Sequence, residues 1–278
     1  MKLFSIIIPS FNQGAFLRDA LASLRCSVRD LYEVLVFDGG STDNSVELLK
    51  AEARQLDYWV SGPDGGQSAA INAGWRRATG RYVTWLNSDD LITAGGLDRL
   101  AAYVERTDYP PWVATDSMWI SAEGRILRCV RGSEFRVGDL AKGMINVGGP
   151  SSFVRRDILE GVGYLREDYR YMMDTEFWYR LAKNGFRYVR FSEYFWALRL
   201  HPNAKMSGHL FAESAMQSAA HESWQQKAKE QGEIRQRYYP GATGSLRERM
   251  LFRMGRVARL ETPLAVLGTL MRRGKMFL

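Results

Sequence analysis

Through the first ninety residues, apolar runs alternate with stretches of helical period. Residues 3–8, Leu-Phe-Ser-Ile-Ile-Ile, form an almost continuous apolar run, the pattern of a strand covered on both faces. Residues 14–25 follow with Phe16, Leu17, Ala20, Leu21 and Leu24 at helical spacing. The pattern then predicts a strand over 33–38, a helix over 42–54 opened by Thr-Asp-Asn, a short strand over 57–61, a helix over 66–79 and a strand over 81–87. Strands separated by helices of about 10–15 residues predict βαβ units around a mostly parallel sheet.

The middle of the chain reads differently. Residues 112–121 and 125–131 flank Ala122-Glu123-Gly124, which predicts a β-hairpin with a glycine-containing turn. Residues 151–159 read as a strand running into a helix. Residues 174–185 read as a helix stopped by Asn184-Gly185. Beyond Gly208 the pattern is mostly helical.

Composition narrows the class. Of the 278 residues, 46% are hydrophobic and 25% charged, which excludes a disordered chain. The two cysteines, Cys26 and Cys129, are far apart and lack metal-site spacing, so neither a disulfide scaffold nor a cysteine-built zinc site is expected. No run of 18 apolar residues predicts a membrane span, and the N-terminal apolar run is read as a first strand, not a leader. The net charge of +7 is uneven. Residues 245–278 hold eight basic and two acidic residues and carry +6, so the body is near neutral and no nucleic-acid partner is implied. The tail pairs a basic, imperfectly amphipathic stretch (246–260) with nine apolar residues (263–271), too short to cross a bilayer. Contact with an anionic membrane surface is one expectation for residues 245–278. A homo-oligomer contact or packing on the body are the others.

Four segments place chemistry at expected strand ends. Residues 85–90, Trp-Leu-Asn-Ser-Asp-Asp, end a strand in adjacent carboxylates that repel unless solvated or neutralised by a cation. Residues 37–45, Phe-Asp-Gly-Gly-Ser-Thr-Asp-Asn-Ser, end a strand at Asp38, but without the glycine spacing of a dinucleotide fingerprint. Residues 5–12, Ser-Ile-Ile-Ile-Pro-Ser-Phe-Asn, end the first strand near Pro9. Residues 62–74 form a Gly-rich turn with Asp64, followed by Asn72. Taken singly, each is equally compatible with a cap or a plain turn.

In order and spacing, the four together resemble the inverting family-2 glycosyltransferases of non-processive bacterial type, over roughly residues 3–210. That resemblance implies a GT-A fold: α/β, Rossmann-like, with a mostly parallel central sheet flanked by helices and a helical C-terminal tail. It implies a catalytic domain over 1–210, with a nucleotide-binding half (1–90) and an acceptor half (91–210), and a basic extension over 211–278. Pro9, Ser10 and Asn12 would lie against the nucleotide, Asp38 would hold the base, and Asp64 and Asn72 would line the donor pocket. Ser88 and Asp89 would approach the donor, and Asp90, with His201, would ligate Mn²⁺ or Mg²⁺ on the diphosphate.

Residues 171–181 match the family's acidic motif, with Met173 in place of its first acid. Asp174 would be the general base and Glu176 is the second choice; both are also good first-turn helix residues. Lys205 stands near Ala204, where the family has serine, and could contact phosphate. Gly148 and Gly149 would let backbone approach the sugar. A processive synthase's Gln-x-x-Arg-Trp motif is absent.

The implied reaction moves one sugar from a nucleotide-diphosphate sugar, a UDP-sugar, to a hydroxyl of a glycan or lipid-linked acceptor. The implied setting is the cytoplasm or the cytoplasmic face of the inner membrane. The rival readings are a catalytically inactive GT-A protein that binds nucleotide or assembles with partners, and a nucleotidyltransferase. The second would need a basic Gly-rich loop after the first strand.

Overall fold

A computed structural model describes residues 2–134, 147–205, 217–238, 240 and 261–277, together with isolated positions between 247 and 257. The expected helix over 246–260 therefore lies largely outside the described residues.

The first half builds as its periodicity predicts. Strand β1 (Phe4–Ser10) leads to α1 (Gly14–Leu24), β2 (Tyr32–Asp38) to α2 (Ser45–Glu52), and β3 (Tyr58–Ser61) to α3 (Gln67–Arg77), with β4 (Tyr82–Trp85) next. These strands pair in parallel in the order β3-β2-β1-β4. Helix α2 starts three residues later than its polar start signal, because Asp43 accepts from the Ser45 N–H and hydroxyl and from the Gly14 N–H, which ties the turn to α1. Pro9 is tolerated inside a central strand for a geometric reason. It shares parity with Ile7, whose carbonyl accepts from Leu86, and β4 pairing ends at Ile7, so no ladder bond is lost.

The second half adds β5 (Leu91–Ile92), α4 (Gly96–Arg106), β6 (Trp112–Ile120), β7 (Ile126–Val130), β8 (Ser152–Arg155), α5 (Leu159–Val162), α6 (Met173–Lys183) and β9 (Tyr188–Arg199). Strand β6 pairs in parallel with β9, while β8, β5 and the hairpin strand β7 join antiparallel. Among the described residues, nine strands make one sheet.

Alternation along β1 divides the core. Ile7 faces a cluster under α3 and α6 that includes Trp75, Trp85, Trp112, Phe177 and Trp178. Ile6 and Ile8 face a cluster under α1, α2 and α4. A Cβ at Gly74 would lie 2.3 Å from Ile7, so only glycine lets α3 sit this close to β1. The C-terminal helices belong to the same body. Helix α7 (Gln217–Tyr238) sends Ile234 into the α3–α6 cluster, and α8 (Glu261–Arg272) packs on β7, where the Cys129 N–H donates to the Thr269 hydroxyl at 2.9 Å.

Candidate active site

The parallel strands end at a common edge, and the turns after them carry the polar motifs. At the end of β1 the Ser10 hydroxyl is buried without a hydrogen-bond partner among the described residues, an orphaned polar atom at the strand edge. Phe11 beside it is 60% exposed. Asn12 takes a left-handed φ of +52°. Its side-chain oxygen accepts from the Thr42 N–H and its own N–H donates to the Ser41 hydroxyl, both at 2.8 Å. It stitches the turn after β1 to the turn after β2.

Asp38 organises the turn after β2. Its carboxylate accepts from the N–H groups of Gly40 and Ser41 at 3.2 and 2.9 Å, and from the hydroxyls of Ser41 and Ser61 at 2.5 and 2.7 Å. Three of these bonds fall on Oδ2 and one on Oδ1, which keeps an acceptor site. The open carboxylate here is Asp64. A Cβ on Gly39 would lie 3.2 and 3.3 Å from its two oxygens and 3.3 Å from the Phe11 ring. Asp64 accepts from the Gly66 N–H at 2.7 Å and has lone pairs left over.

Asn72 is likewise committed to the protein. Its amide donates to the Leu165 carbonyl and the Glu167 carboxylate, and its oxygen accepts from the Leu165 N–H, all at 2.9 Å. It bridges α3 to the loop before α6.

The adjacent aspartates after β4 separate sharply. Asp90 is fully buried. One oxygen accepts from the Arg199 N–H at 2.9 Å, and the other from the Trp196 indole and the Asn87 amide at 3.0 and 2.8 Å. Burial first, and the Asp89 charge second, push its carboxyl well above the usual carboxylate range. A group so enclosed has no open side for a cation, so the expectation of Asp90 as metal ligand does not match its surroundings. Asp89 does have an open side: its carboxylate lies 3.1 Å from His201 Nε2. Ser88, beside it in sequence, is buried. Arg199 anchors the pair by donating to the Asp89 carbonyl at 2.9 Å, to the Ala122 carbonyl and to the Asp19 carboxylate at 3.1 Å. A carboxylate oxygen and an imidazole nitrogen would supply two of the roughly six ligands of an octahedral cation, the remainder coming from substrate oxygens and water. The described residues hold no cluster of three or more such ligands.

On the acceptor side, Asp174 stands in the first turn of α6, largely desolvated, and burial raises its carboxyl above the ordinary value. Lys205 and Lys227 oppose that rise. Glu176, the second choice, is fully buried, bonded by Arg180 at 3.1 and 2.9 Å and by the Tyr238 hydroxyl. It locks α7 to α6 and is not placed to take a proton. Met173, which stands where the family has an acid, accepts from the Ser68 hydroxyl of α3 at 2.7 Å.

Lys205 joins the two sides. It donates to Gln67 at 2.8 Å, Gln67 donates to Asn87 at 2.9 Å, and Asn87 donates to Asp90. Partial desolvation and Arg170 lower its ammonium to about 8, against the pull of Asp174 and Glu230.

Glu230 has no motif in the sequence. It is buried on α7, and its carboxylate accepts the successive N–H groups of Arg170, Tyr171 and Met172 at 3.0, 2.8 and 2.9 Å. Those residues lead directly into Asp174. The signal that could have found it is a four-residue spacing: Glu230, Ile234 and Tyr238 form one inward helix face.

Gly148 and Gly149 are required by the packing of tryptophans. A Cβ on Gly148 would lie 2.4 Å from Trp196, and one on Gly149 would lie 2.3 Å from Trp85.

Comparison with known proteins agrees with this layout. The family model described as Glycosyl transferase family 2 matches residues 5–163. The glycosyltransferase GlyG of Streptococcus pneumoniae serotype 4 is 27% identical over 143 residues, 50% of this chain and 48% of that protein. A PGL/p-HBAD biosynthesis glycosyltransferase of Mycobacterium bovis BCG is 29% identical over 191 residues, 66% of this chain and 70% of that protein. The chain thus spans about half the length of GlyG. Among solved structures, TarS residues 1–349 of S. aureus in complex with UDP-GlcNAc superposes with a TM-score of 0.60 at 21% identity, covering 72% of this chain and 59% of that one. The mannosyltransferase PcManGT of Pyrobaculum calidifontis, in complex with GDP-Man and Mn²⁺, gives 0.55 at 19% identity, covering 96% and 83%.

Proposed function

Because the chain belongs to glycosyl transferase family 2, we propose that it transfers one sugar from a nucleotide-diphosphate donor, a UDP-sugar, to a hydroxyl of a glycan or lipid-linked acceptor, with inversion. The proposed setting is the cytoplasmic face of the inner membrane. The observation that carries the reading is the Asp89–His201 contact at 3.1 Å, next to an Asp90 that Asn87 and Gln67 link to Lys205, whose ammonium lies in the field of Asp174.

Asp174 takes the proton of the acceptor hydroxyl as its oxygen bonds to the anomeric carbon. The bond from that carbon to the phosphate oxygen breaks on the opposite face, and the diphosphate leaves with the electron pair. A raised carboxyl pKa makes the ionised Asp174 a stronger base. Asp89 and His201 would hold Mn²⁺ or Mg²⁺, which supplies positive charge to the departing diphosphate. Lys205 adds a second positive charge. Ser10, Phe11 and Asp64 face the nucleotide: the hydroxyl and carboxylate offer hydrogen bonds and the ring a stacking face.

The test is thermal melting with UDP, GDP, dTDP and CMP, each with and without Mn²⁺, on wild type and Asp89→Asn. A rise with UDP that needs both Mn²⁺ and Asp89 supports the donor site. A chain that binds but releases no nucleoside diphosphate from any UDP-sugar, even with candidate acceptors, is the non-catalytic protein instead.

A further inference from the structure

Among the described residues, helix α8 is covered on one side only. Ala265, Gly268, Thr269 and Arg272 turn towards the sheet: Thr269 accepts from the Cys129 N–H, a Cβ on Gly268 would lie 2.5 Å from the Tyr194 hydroxyl, and Arg272 lies over the Tyr194 ring. The chain after the helix is then stapled to the hairpin, where the Gly274 and Phe277 N–H groups donate to the carbonyls of Ile126 and Gly124. The opposite side carries Leu264, Val266, Leu267, Leu270 and Met271, exposed by 39, 53, 52, 73 and 60%. At 100° per residue these form one continuous stripe. Exposure of so many large aliphatics along one stripe on a helix held to the sheet from Gly268 onward marks a contact surface and not scattered surface leucines.

Charge selects the occupant. Arg273 follows Val266 by two turns and so edges the stripe, Lys275 is exposed just beyond, and Arg125 and Arg128 are exposed on the adjoining hairpin with the half-exposed Leu127. A second copy of the chain docking here about a two-fold axis would bring this basic rim against itself. A surface that is apolar below and anionic above satisfies both the stripe and the rim. The twelve-residue helix is about 18 Å long, against about 30 Å of bilayer hydrocarbon, and its other face is held by the sheet, so it can only lie in the plane of the interface.

We propose that the outer face of α8 docks on an anionic lipid bilayer, with Leu264, Val266, Leu267, Leu270 and Met271 entering the interface and Arg273 and Lys275 meeting lipid phosphates. The hairpin that staples α8 also touches the donor site. Gly124 accepts from Phe277, and its neighbour Ala122 accepts from Arg199, which holds Asp89. Docking would therefore set that edge of the active site beside the lipid surface. The surface stands on its own observations, independently of the transferase reading, and its test needs no turnover.

The experiment is flotation of the full chain with phosphatidylcholine vesicles and with phosphatidylcholine–phosphatidylglycerol vesicles. Wild type is compared with Leu267→Glu/Leu270→Glu and with Arg273→Gln/Lys275→Gln. All four positions are exposed, and unchanged melting temperatures check that the variants fold. The expected result is flotation of wild type with the anionic vesicles, at least a roughly tenfold loss in the Glu variant, and a smaller, salt-dependent loss in the Gln variant. No flotation of wild type, or equal flotation of wild type and the Glu variant, overturns the proposal. So does a concentration-dependent dimer in light scattering that the Glu variant abolishes, which would assign the face to a second copy.

Discussion

Asp89 meets His201 at 3.1 Å across 112 residues of sequence, while Asp90, its neighbour, faces the opposite way into three protein donors. The two carboxylates therefore have separable consequences. Asp89→Asn should leave the melting temperature of the free protein nearly unchanged. It should abolish the Mn²⁺-dependent part of nucleotide binding and lower kcat by roughly 10²–10³, the usual loss when one charge-stabilising group goes.

Asp90→Asn should act through the fold. An amide cannot accept from Arg199, Trp196 and Asn87 together, so at least one buried donor is left unpaired, at a cost of about 1–3 kcal/mol. At about 2–4 °C per kcal/mol for a domain near this size, the melting temperature should fall by several degrees. Thermal melting of both variants without ligand decides between the assignments. A collapse of metal-dependent binding in Asp90→Asn at unchanged stability would restore Asp90 as the ligand.

This pair shows what the sequence could and could not convey. Periodicity alone located β1 to β4 and the intervening helices, because burial on both faces and helical spacing are local properties. The same local signal placed Asp89 and Asp90 at a strand end. Which of the two looks outward depends on Trp196 and Arg199 arriving from β9, more than a hundred residues later. The partners of Asp38 and Asn72 were hidden for a related reason: Ser61 and Leu165 come from other elements and bond side chains that look free in the sequence. Glu230 carried only the helical spacing of its face as a signal, because its partners are backbone N–H groups, which any sequence supplies.

Glu230 is expected to position Asp174 without touching substrate. Glu230→Gln keeps the side-chain shape but weakens the hold on the N–H groups of residues 170–172. With a UDP-sugar donor and water or a supplied hydroxyl as acceptor, kcat should fall by roughly tenfold to a hundredfold, as small misplacements of reacting groups do. The donor KM should stay within about twofold. A parallel rise in donor KM, or loss of activity only in proportion to unfolded protein, would reduce Glu230 to a structural role. Glu230→Asp, too short to reach all three N–H groups, should fall between Gln and wild type.

Gly149→Ala tests the packing assignment. The new methyl would start 2.3 Å from Trp85, a ring already sandwiched in the core beside Trp75 and Trp178. Overpacking of this kind costs about 1–3 kcal/mol. The variant should melt several degrees lower and yet, at a temperature where it is folded, keep its nucleotide affinity. Urea titration beside a UDP binding isotherm separates the two effects. Unchanged stability with lost sugar turnover would return this glycine to the sugar site.

The pH dependence of kcat/KM should be bell-shaped, and its limbs can be assigned. Burial raises the Asp174 carboxyl, and only its ionised form accepts a proton, so activity climbs with pH through that raised value, above the ordinary carboxylate range. Lys205 loses its charge through about 8, lowered first by desolvation and then by Arg170, with Asp174 and Glu230 facing it in opposition. If its positive charge helps the diphosphate leave, activity declines above that pH. Lys205→Met should lower the plateau and remove the alkaline decline. It should also shift the acidic limb upward, because Asp174 loses a neighbouring cation that favours its ionised form. The two shifts are coupled through one pair of charges, so they must appear together. Loss of the alkaline limb with the acidic limb unmoved would show that Lys205 acts on the leaving group alone and that its field does not reach the base.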